Sequence, residues 1–324
     1  HRWTPLAGLF ENGRMGVEIF FVLSGFLITY LMVCEEQANG RISLRGFYRR
    51  RALRILPPAM SFLAVLCALA GLGLLSLSRQ EVIASALFAR NLFSGAPQTA
   101  HFWSLAIEEQ FYLVWPVVFV LLRRPDRRFA FALAAWAMAL VWYHGYAWYF
   151  GLPGNDSYRT DLHCEPLILG CGLALAIAAE KRREALRRRL NGRVAAGAAI
   201  VVGLCLACPV FSVPGLRSVA GHLCYLAITA AIGHVVLHPR DTAARFLESP
   251  VLWGIGAISY SLYLWQQPFM PLPGVEAAWF RTFPINLILA FAAALGSYFG
   301  IERPLRRWRA RPRALPEARE RLAG

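Results

Sequence analysis

Apolar residues run along this chain in long blocks, with short charged stretches between them, rather than in helical stripes or in strand alternation. Each block approaches the roughly 20 residues a helix needs to cross about 30 Å of hydrocarbon. Nine spans are predicted, over 15–33, 56–77, 103–122, 129–149, 165–179, 194–213, 219–237, 250–270 and 284–301. The fifth is short, and Pro166 and Gly170 are points at which it could tilt or break. Segment 79–93 is amphipathic and reads as a helix lying in the membrane interface. The alternation of an outer-membrane barrel is not visible. The predicted fold class is an all-α membrane protein, a polytopic helical bundle.

Composition agrees with that pattern. At 57% hydrophobic and a mean hydropathy of +0.45, the 324 residues are too apolar for a soluble domain of this length. A formal net charge of +15 would point to nucleic acid in a soluble chain. Here the charge sits in alternate loops. Arg41, Arg45, Arg49, Arg50, Arg51 and Arg54 follow the first span, and Arg123, Arg124, Arg127 and Arg128 the third. Lys181 and a run of arginines follow the fifth, Arg240 and Arg245 the seventh, and eight arginines from Arg303 to Arg321 the ninth. Every odd-numbered span therefore ends on a basic side, which the positive-inside rule makes cytoplasmic. This predicts residues 1–302 as a membrane-embedded domain and 303–324 as a basic cytoplasmic tail. The lipid bilayer is a partner and nucleic acid is not.

With nine spans His1 falls outside, and a tenth helix ahead of it would return the N-terminus to the cytoplasm. The seven cysteines lie mostly in apolar segments, where Cys behaves as a small hydrophobe. Cys205-Leu-Ala-Cys208 has metal-ligand spacing, but no second pair or nearby His completes a site, so no metal is expected.

Chemistry concentrates in Ala100–Pro116, which begins as a polar loop and runs into an apolar helix carrying adjacent carboxylates, Glu108 and Glu109. An ionisable group at membrane depth is expensive, so a functional or paired role is the default reading. The rival is that both sit at headgroup level and only cap the helix entrance.

Five blocks then become recognisable together. They are Gly16-Val-Glu-Ile-Phe-Phe-Val-Leu-Ser-Gly-Phe-Leu-Ile-Thr29, Tyr48-Arg-Arg-Arg-Ala-Leu-Arg-Ile-Leu-Pro-Pro58, Trp103-Ser-Leu-Ala-Ile-Glu-Glu-Gln-Phe-Tyr112, Ser259-Tyr-Ser-Leu-Tyr-Leu-Trp-Gln-Gln-Pro268 and Ile301-Glu-Arg-Pro304. In this order and spacing they closely resemble the acyltransferase family 3 membrane proteins, integral-membrane O-acyltransferases of which many acetylate bacterial surface polysaccharides. The resemblance covers essentially the whole chain. It implies an acyltransferase of the bacterial inner membrane that takes an acyl group, acetyl by expectation, from acyl-CoA as donor substrate. The acceptor is a hydroxyl of a carbohydrate or related molecule, and no permanently bound cofactor is implied.

Site residues follow from the same resemblance. His1 stands where the family's hallmark His closes its first transmembrane helix, and is assigned as general base, since His has the most suitable unperturbed pKa near neutrality. The family's Arg eleven residues ahead of that His would fall before this chain begins. Glu108 matches the family's most constant acid in its block and would orient His1, with Glu109 more variable and Ser104 a candidate for acceptor hydrogen bonding. Arg51 and Arg54, three apart on one helix face, suit the phosphates of coenzyme A through forked hydrogen bonds, and basic topology alone is their rival reading.

Two blocks depart from the family form. In Tyr158–Gly170, His163 stands where Arg is more usual and Glu165 where Asp is. In Ser259–Pro268, Gln266 stands where many relatives have His, and Tyr260 belongs to an aromatic set near mid-span. Both departures are candidate marks of acceptor specificity. His144, His222, His234 and His238 show no metal spacing and read as core or interface histidines. The rival function is an acyl or glycan transporter, or a scaffold subunit without transfer chemistry of its own. The sequence does not define the acceptor or the oligomeric state.

Overall fold

The apolar blocks become helices, as the absence of water demands: in lipid every backbone N–H and C=O must be satisfied within its own segment or a closed sheet. The computed structural model describes residues 13–93, 97–151, 158–207, 214–271 and 278–310, and among these it contains helices, turns and no strand. In chain order the helices are α1 (Gly13–Asn39), α2 (Leu44–Gly71), α3 (Arg79–Ala86), α4 (Phe102–Leu121), α5 (Pro125–Phe150), α6 (Thr160–His163) and α7 (Glu165–Ala178). There follow α8 (Glu180–Arg189), α9 (Gly192–Ala207), α10 (Pro214–Leu237), α11 (Thr242–Leu247), α12 (Pro250–Trp265), α13 (Ile285–Ser297) and α14 (Arg303–Ala310).

Six stretches among the described residues are long and apolar enough to cross a membrane: Met15–Asn39, Leu44–Gly71, Phe102–Leu121, Pro125–Phe150, Val219–Leu237 and Ile285–Arg307. The other three predicted spans carry shorter helices, α7 with 14 residues and α9 and α12 with 16 each. At 1.5 Å per residue these reach only about 21–24 Å, less than the hydrocarbon thickness. The described residues are thus all helical outside turns and loops, and the chain is a multi-pass membrane protein. Six of the nine expected spans are long and apolar enough among these residues to qualify.

Several boundaries depart from the sequence reading. α2 starts twelve residues ahead of its predicted span, so the Arg45–Arg54 run is helical. It continues through Pro57 and Pro58, where Ser61 Oγ donates to the Pro57 and Pro58 carbonyls at 3.0 and 2.9 Å. α7 is unbroken. Pro166 falls in its first turn, where no intrahelical N–H bond is lost. Segment 79–93 is not one helix. Ser78 and Glu81 form a reciprocal capping box that starts α3 (2.9 and 3.2 Å), but Phe88 takes a left-handed φ of 51° and the chain then turns through Arg90–Leu92. The basic C-terminal segment begins as helix α14, and residues 311–324 lie outside the described residues.

The described residues form two compact units. The first lies within His1–Leu44, Leu87–Gly95 and Phe102–Trp253, the second within Arg45–Ala86, Ala96–His101 and Gly254–Gly324. In the first, α1 is the organising helix. It supplies Met15 and Val22 to a cluster with Cys205, Cys224 and Ile228, Phe26 to one with Leu173, Ala174, Ile177 and Leu237, and Phe21 to one with Trp103, Ile107 and Leu167. Its approach to α7 is at backbone contact. A Cβ on Gly25 would lie 2.0 Å from the Leu167 carbonyl oxygen, and one on Gly170 would lie 2.1 Å from the Val22 oxygen. This is small-residue packing of the kind membrane helices use when lipid supplies no hydrophobic drive between them.

Arg128, at the start of α5, was expected only to mark a basic loop. It is 2% exposed and its Nε donates to the Phe119 and Leu122 carbonyls (2.9 and 2.6 Å), which the end of α4 leaves without helical partners. Its guanidinium forks onto both oxygens of Glu36 at 2.5 and 2.8 Å and lies 3.8 Å over the Phe119 ring. Arg128→Leu is expected to cost about 2–3 kcal/mol, discounted from the usual cost of breaking a buried pair because Glu36 is partly exposed. Arg128→Lys should recover little, since an ammonium cannot fork. Thermal unfolding of the detergent-solubilised protein measures both, and wild-type stability for Arg128→Leu would show that the clamp contributes nothing.

Candidate active site

In the first unit α4 carries Glu108 into the interior, 4% exposed, and places Tyr112 one turn further along the same face. α1 brings Ser24, from the Ser24-Gly25 notch, against both. The Ser24 and Tyr112 hydroxyls each donate to Oε1 of Glu108 and also contact one another. Charge-assisted hydroxyl–carboxylate bonds are the strong kind, and two on one oxygen are what a buried carboxylate needs in place of water. The close α1–α7 packing at Gly25 fixes the height of Ser24. Glu108 is therefore a buried, doubly bonded group rather than a cap on the helix entrance. Ser104 is buried one turn earlier on α4, and Glu109 is half-buried beside Glu108.

The next residue anchors the helix. Gln110 donates to the Phe88 carbonyl and to Asn91 Oδ1, both at 3.0 Å, and accepts from Thr160 Oγ1, while Asn91 closes the ring by donating to Thr160 Oγ1 at 2.9 Å. A four-residue polar network of this kind, fully satisfied, specifies one packing.

The block that departs from the family pattern folds beside α4 in the same unit. His163 is 5% exposed, with its ring 5.8 Å from Trp103, which in turn stacks on Tyr158 at 4.5 Å. Glu165, the first residue of α7, accepts from Trp136 Nε1 at 3.1 Å and lies 2.5 Å from His222 Nδ1. Burial pushes the neighbouring Cys164 thiol up to about 11, so it is no thiolate nucleophile at neutral pH.

The second unit holds the remaining candidates. Arg51 is half-buried and Arg54 exposed on the first turns of α2, and Arg54 acts electrostatically on Glu302 of the Ile301–Pro304 block. A π-turn over Tyr298–Glu302 breaks the α13 register and presents Glu302 to the Ser261 hydroxyl, which donates to it. Tyr260 donates to the Ile55 carbonyl at 2.9 Å, a bond that ties α12 to α2 and uses its hydroxyl structurally. Gln266 lines a cleft of about 80 Å³ with Leu262, Phe269, Asn286, Leu287 and Phe291. His101 is fully buried against Phe62 and Tyr263, and burial pushes its imidazole down to about 3 against a bond with the Leu264 backbone, so it is neutral at physiological pH.

His1 lies outside the described residues. Glu108, Ser104, Glu109, His163 and Glu165 thus belong to the first unit, and Arg51, Arg54, Tyr260 and Gln266 to the second. Sequence reasoning missed Ser24, Tyr112, Trp136, His222, Ser261 and Glu302 as polar partners. Ser24, Tyr112, Ser261 and Glu302 lay within the quoted motif blocks, but only the fold shows which carboxylate each hydroxyl meets. Nothing local marked His222 or Trp136.

Residues 2–303 match the acyltransferase domain of the acyltransferase 3 family. The peptidoglycan O-acetyltransferase candidate YrhL of Bacillus subtilis is 30% identical over 331 residues, covering 91% of this chain and 51% of YrhL. The O-acetyltransferase OatA of Staphylococcus aureus is 28% identical over 333 residues, covering 92% of this chain and 53% of OatA. The chain spans about half the length of these relatives, and no solved structure matches it. With five sequence blocks, a helical membrane fold and a match from residue 2 to residue 303 in agreement, this chain belongs to the acyltransferase 3 family.

Proposed function

We propose that this chain is a membrane O-acyltransferase that moves an acetyl group from acetyl-CoA to a hydroxyl of a carbohydrate acceptor, with peptidoglycan the first acceptor to try. The observation that carries the reading is the Glu108 carboxylate, buried in an apolar helix and held by the Ser24 and Tyr112 hydroxyls. Catalysis by a His base needs such a fixed acid to hold the imidazole and to stabilise the imidazolium. Family membership and the names of the relatives support the reaction class and the acceptor class.

In the proposed mechanism the chain crosses the bacterial inner membrane several times, with its C-terminal segment in the cytoplasm. Arg51 and Arg54 hold the donor phosphates at the cytoplasmic mouth of α2. The acceptor hydroxyl oxygen attacks the thioester carbonyl carbon while His1, supported by Glu108, takes the hydroxyl proton. The C–S bond then breaks, and the proton passes to the departing thiolate, leaving an O-acetyl ester and free CoA.

The test is transfer of radiolabelled acetyl from acetyl-CoA to muro-oligosaccharides by the full-length protein in proteoliposomes. Ester product in the wild type, a ~10-fold or greater rise in KM for acetyl-CoA in Arg51→Ala/Arg54→Ala, and loss of turnover in His1→Ala are expected. Label that crosses the membrane without forming ester would favour the transporter reading. Unchanged turnover in His1→Ala would remove the base assignment.

A further inference from the structure

The first unit contains a buried carboxylate–imidazole pair, Glu165 and His222, whose histidine the sequence left among the core histidines. Glu165, 5% exposed, receives the Trp136 indole N–H on Oε1 at 3.1 Å and faces His222 Nδ1 with Oε2 at 2.5 Å. Both carboxylate oxygens are thus engaged, one by the indole N–H and one by the imidazole, and the ring is held in one orientation. The far nitrogen, Nε2, is withdrawn from solvent and makes no hydrogen bond with the described residues. Around the ring stand Tyr143 at 5.2 Å and Tyr225 at 6.2 Å, both edge-on, with His144 at 5.2 Å.

An oriented imidazole with one satisfied nitrogen and one bare one is costly to keep, because an unpaired buried polar atom retains its full desolvation penalty. Among the described residues no protein group meets Nε2, which leaves that nitrogen open to a partner of another kind. A hydroxyl is the group that fits. It both donates and accepts, so it meets a ring nitrogen whether or not that nitrogen carries the proton.

We propose that His222, oriented by Glu165, binds a hydroxyl of the carbohydrate acceptor other than the one acylated, and so selects and positions that acceptor. The assignment rests on the acyl-transfer reading above. No bond is made or broken at His222; it touches substrate through a hydrogen bond alone.

The test compares KM and kcat in proteoliposomes of full-length protein, with muro-oligosaccharide as acceptor and acetyl-CoA as donor. His222→Leu should raise the acceptor KM ~10-fold, with kcat within ~3-fold and the acetyl-CoA KM unchanged, as loss of uniform binding requires. His222→Gln, whose amide can still meet a hydroxyl, should recover most of the loss, and Glu165→Gln should fall between. An acceptor analogue lacking the bonded hydroxyl should be insensitive to all three substitutions. If His222→Leu does not fold, the Gln variants at 222 and 165 carry the same comparison. An acceptor KM that stays at the wild-type value, or donor and acceptor KM that rise together, would overturn the assignment. A wild type that forms no ester would overturn the acyl-transfer reading instead.

Discussion

Glu108→Gln is expected to lower acetyl transfer by roughly 10³-fold, with kcat and kcat/KM falling together, while the protein stays folded. The amide fills the carboxylate's volume and keeps one oxygen for the Ser24 and Tyr112 hydroxyls. It loses the negative charge that would hold a protonated imidazole. The stability readout separates this from a structural role. A carboxylate in a membrane span is costly, so neutralising it should leave the thermal midpoint unchanged or raise it. A lower midpoint with proportionate loss of activity would make Glu108 a packing element. Retention of more than about a tenth of wild-type turnover would remove it from the chemistry. Ser24→Ala, which leaves Tyr112 in place, should cost about 10-fold, the worth of one charge-assisted bond.

Gly25→Ala should have the largest effect on stability. The added methyl carbon would stand 2.0 Å from the Leu167 carbonyl oxygen, a backbone atom that no side-chain rotation can move aside. α1 and α7 must then part by more than an ångström, at a cost of about 3 kcal/mol or more, the upper end of overpacking. Ser24 moves with α1, so transfer should fall too, as displacements of about 1 Å at a site can cost 10²-fold. Gly16→Ala on the same helix is the control. Nothing lies within 4 Å of a Cβ there, and replacing an open helical Gly by Ala should leave stability level or slightly higher. Equal thermal midpoints for the two variants would show that the glycine contact is not tight in the working protein.

Glu108 and Arg128 show where legibility in the sequence stops. Glu108 was visible because a charge in an apolar block has no cheap explanation, and the motif around it selected it over Glu109. Arg128 was invisible as anything but loop charge, because it sits among Arg123, Arg124 and Arg127, and sequence cannot say which of four arginines turns inward. The partner of His222 was hidden too. Glu165 lies 57 positions away, on another helix, so no spacing rule connects them. Arg51 and Arg54 were placed on one helix face by their spacing, and the helical start of α2 bears this out. That Arg54 acts on Glu302 required the fold.

By itself the sequence determined the helical membrane class, the position of most helices and the family, because these depend on local hydrophobic length and on motif order along the chain. It could not set how far each helix runs. α2 extends into its arginines and α7 stops at 14 residues, since capping and packing rather than hydropathy end a helix. Only the tertiary structure decided which polar side chains meet. Ser24 and Tyr112 on Glu108, Ser261 on Glu302, and Trp136 and His222 on Glu165 are contacts between groups that apolar surroundings force to pair. Burial dictates that each carboxylate must find partners, but which ones depends on how the helices are packed.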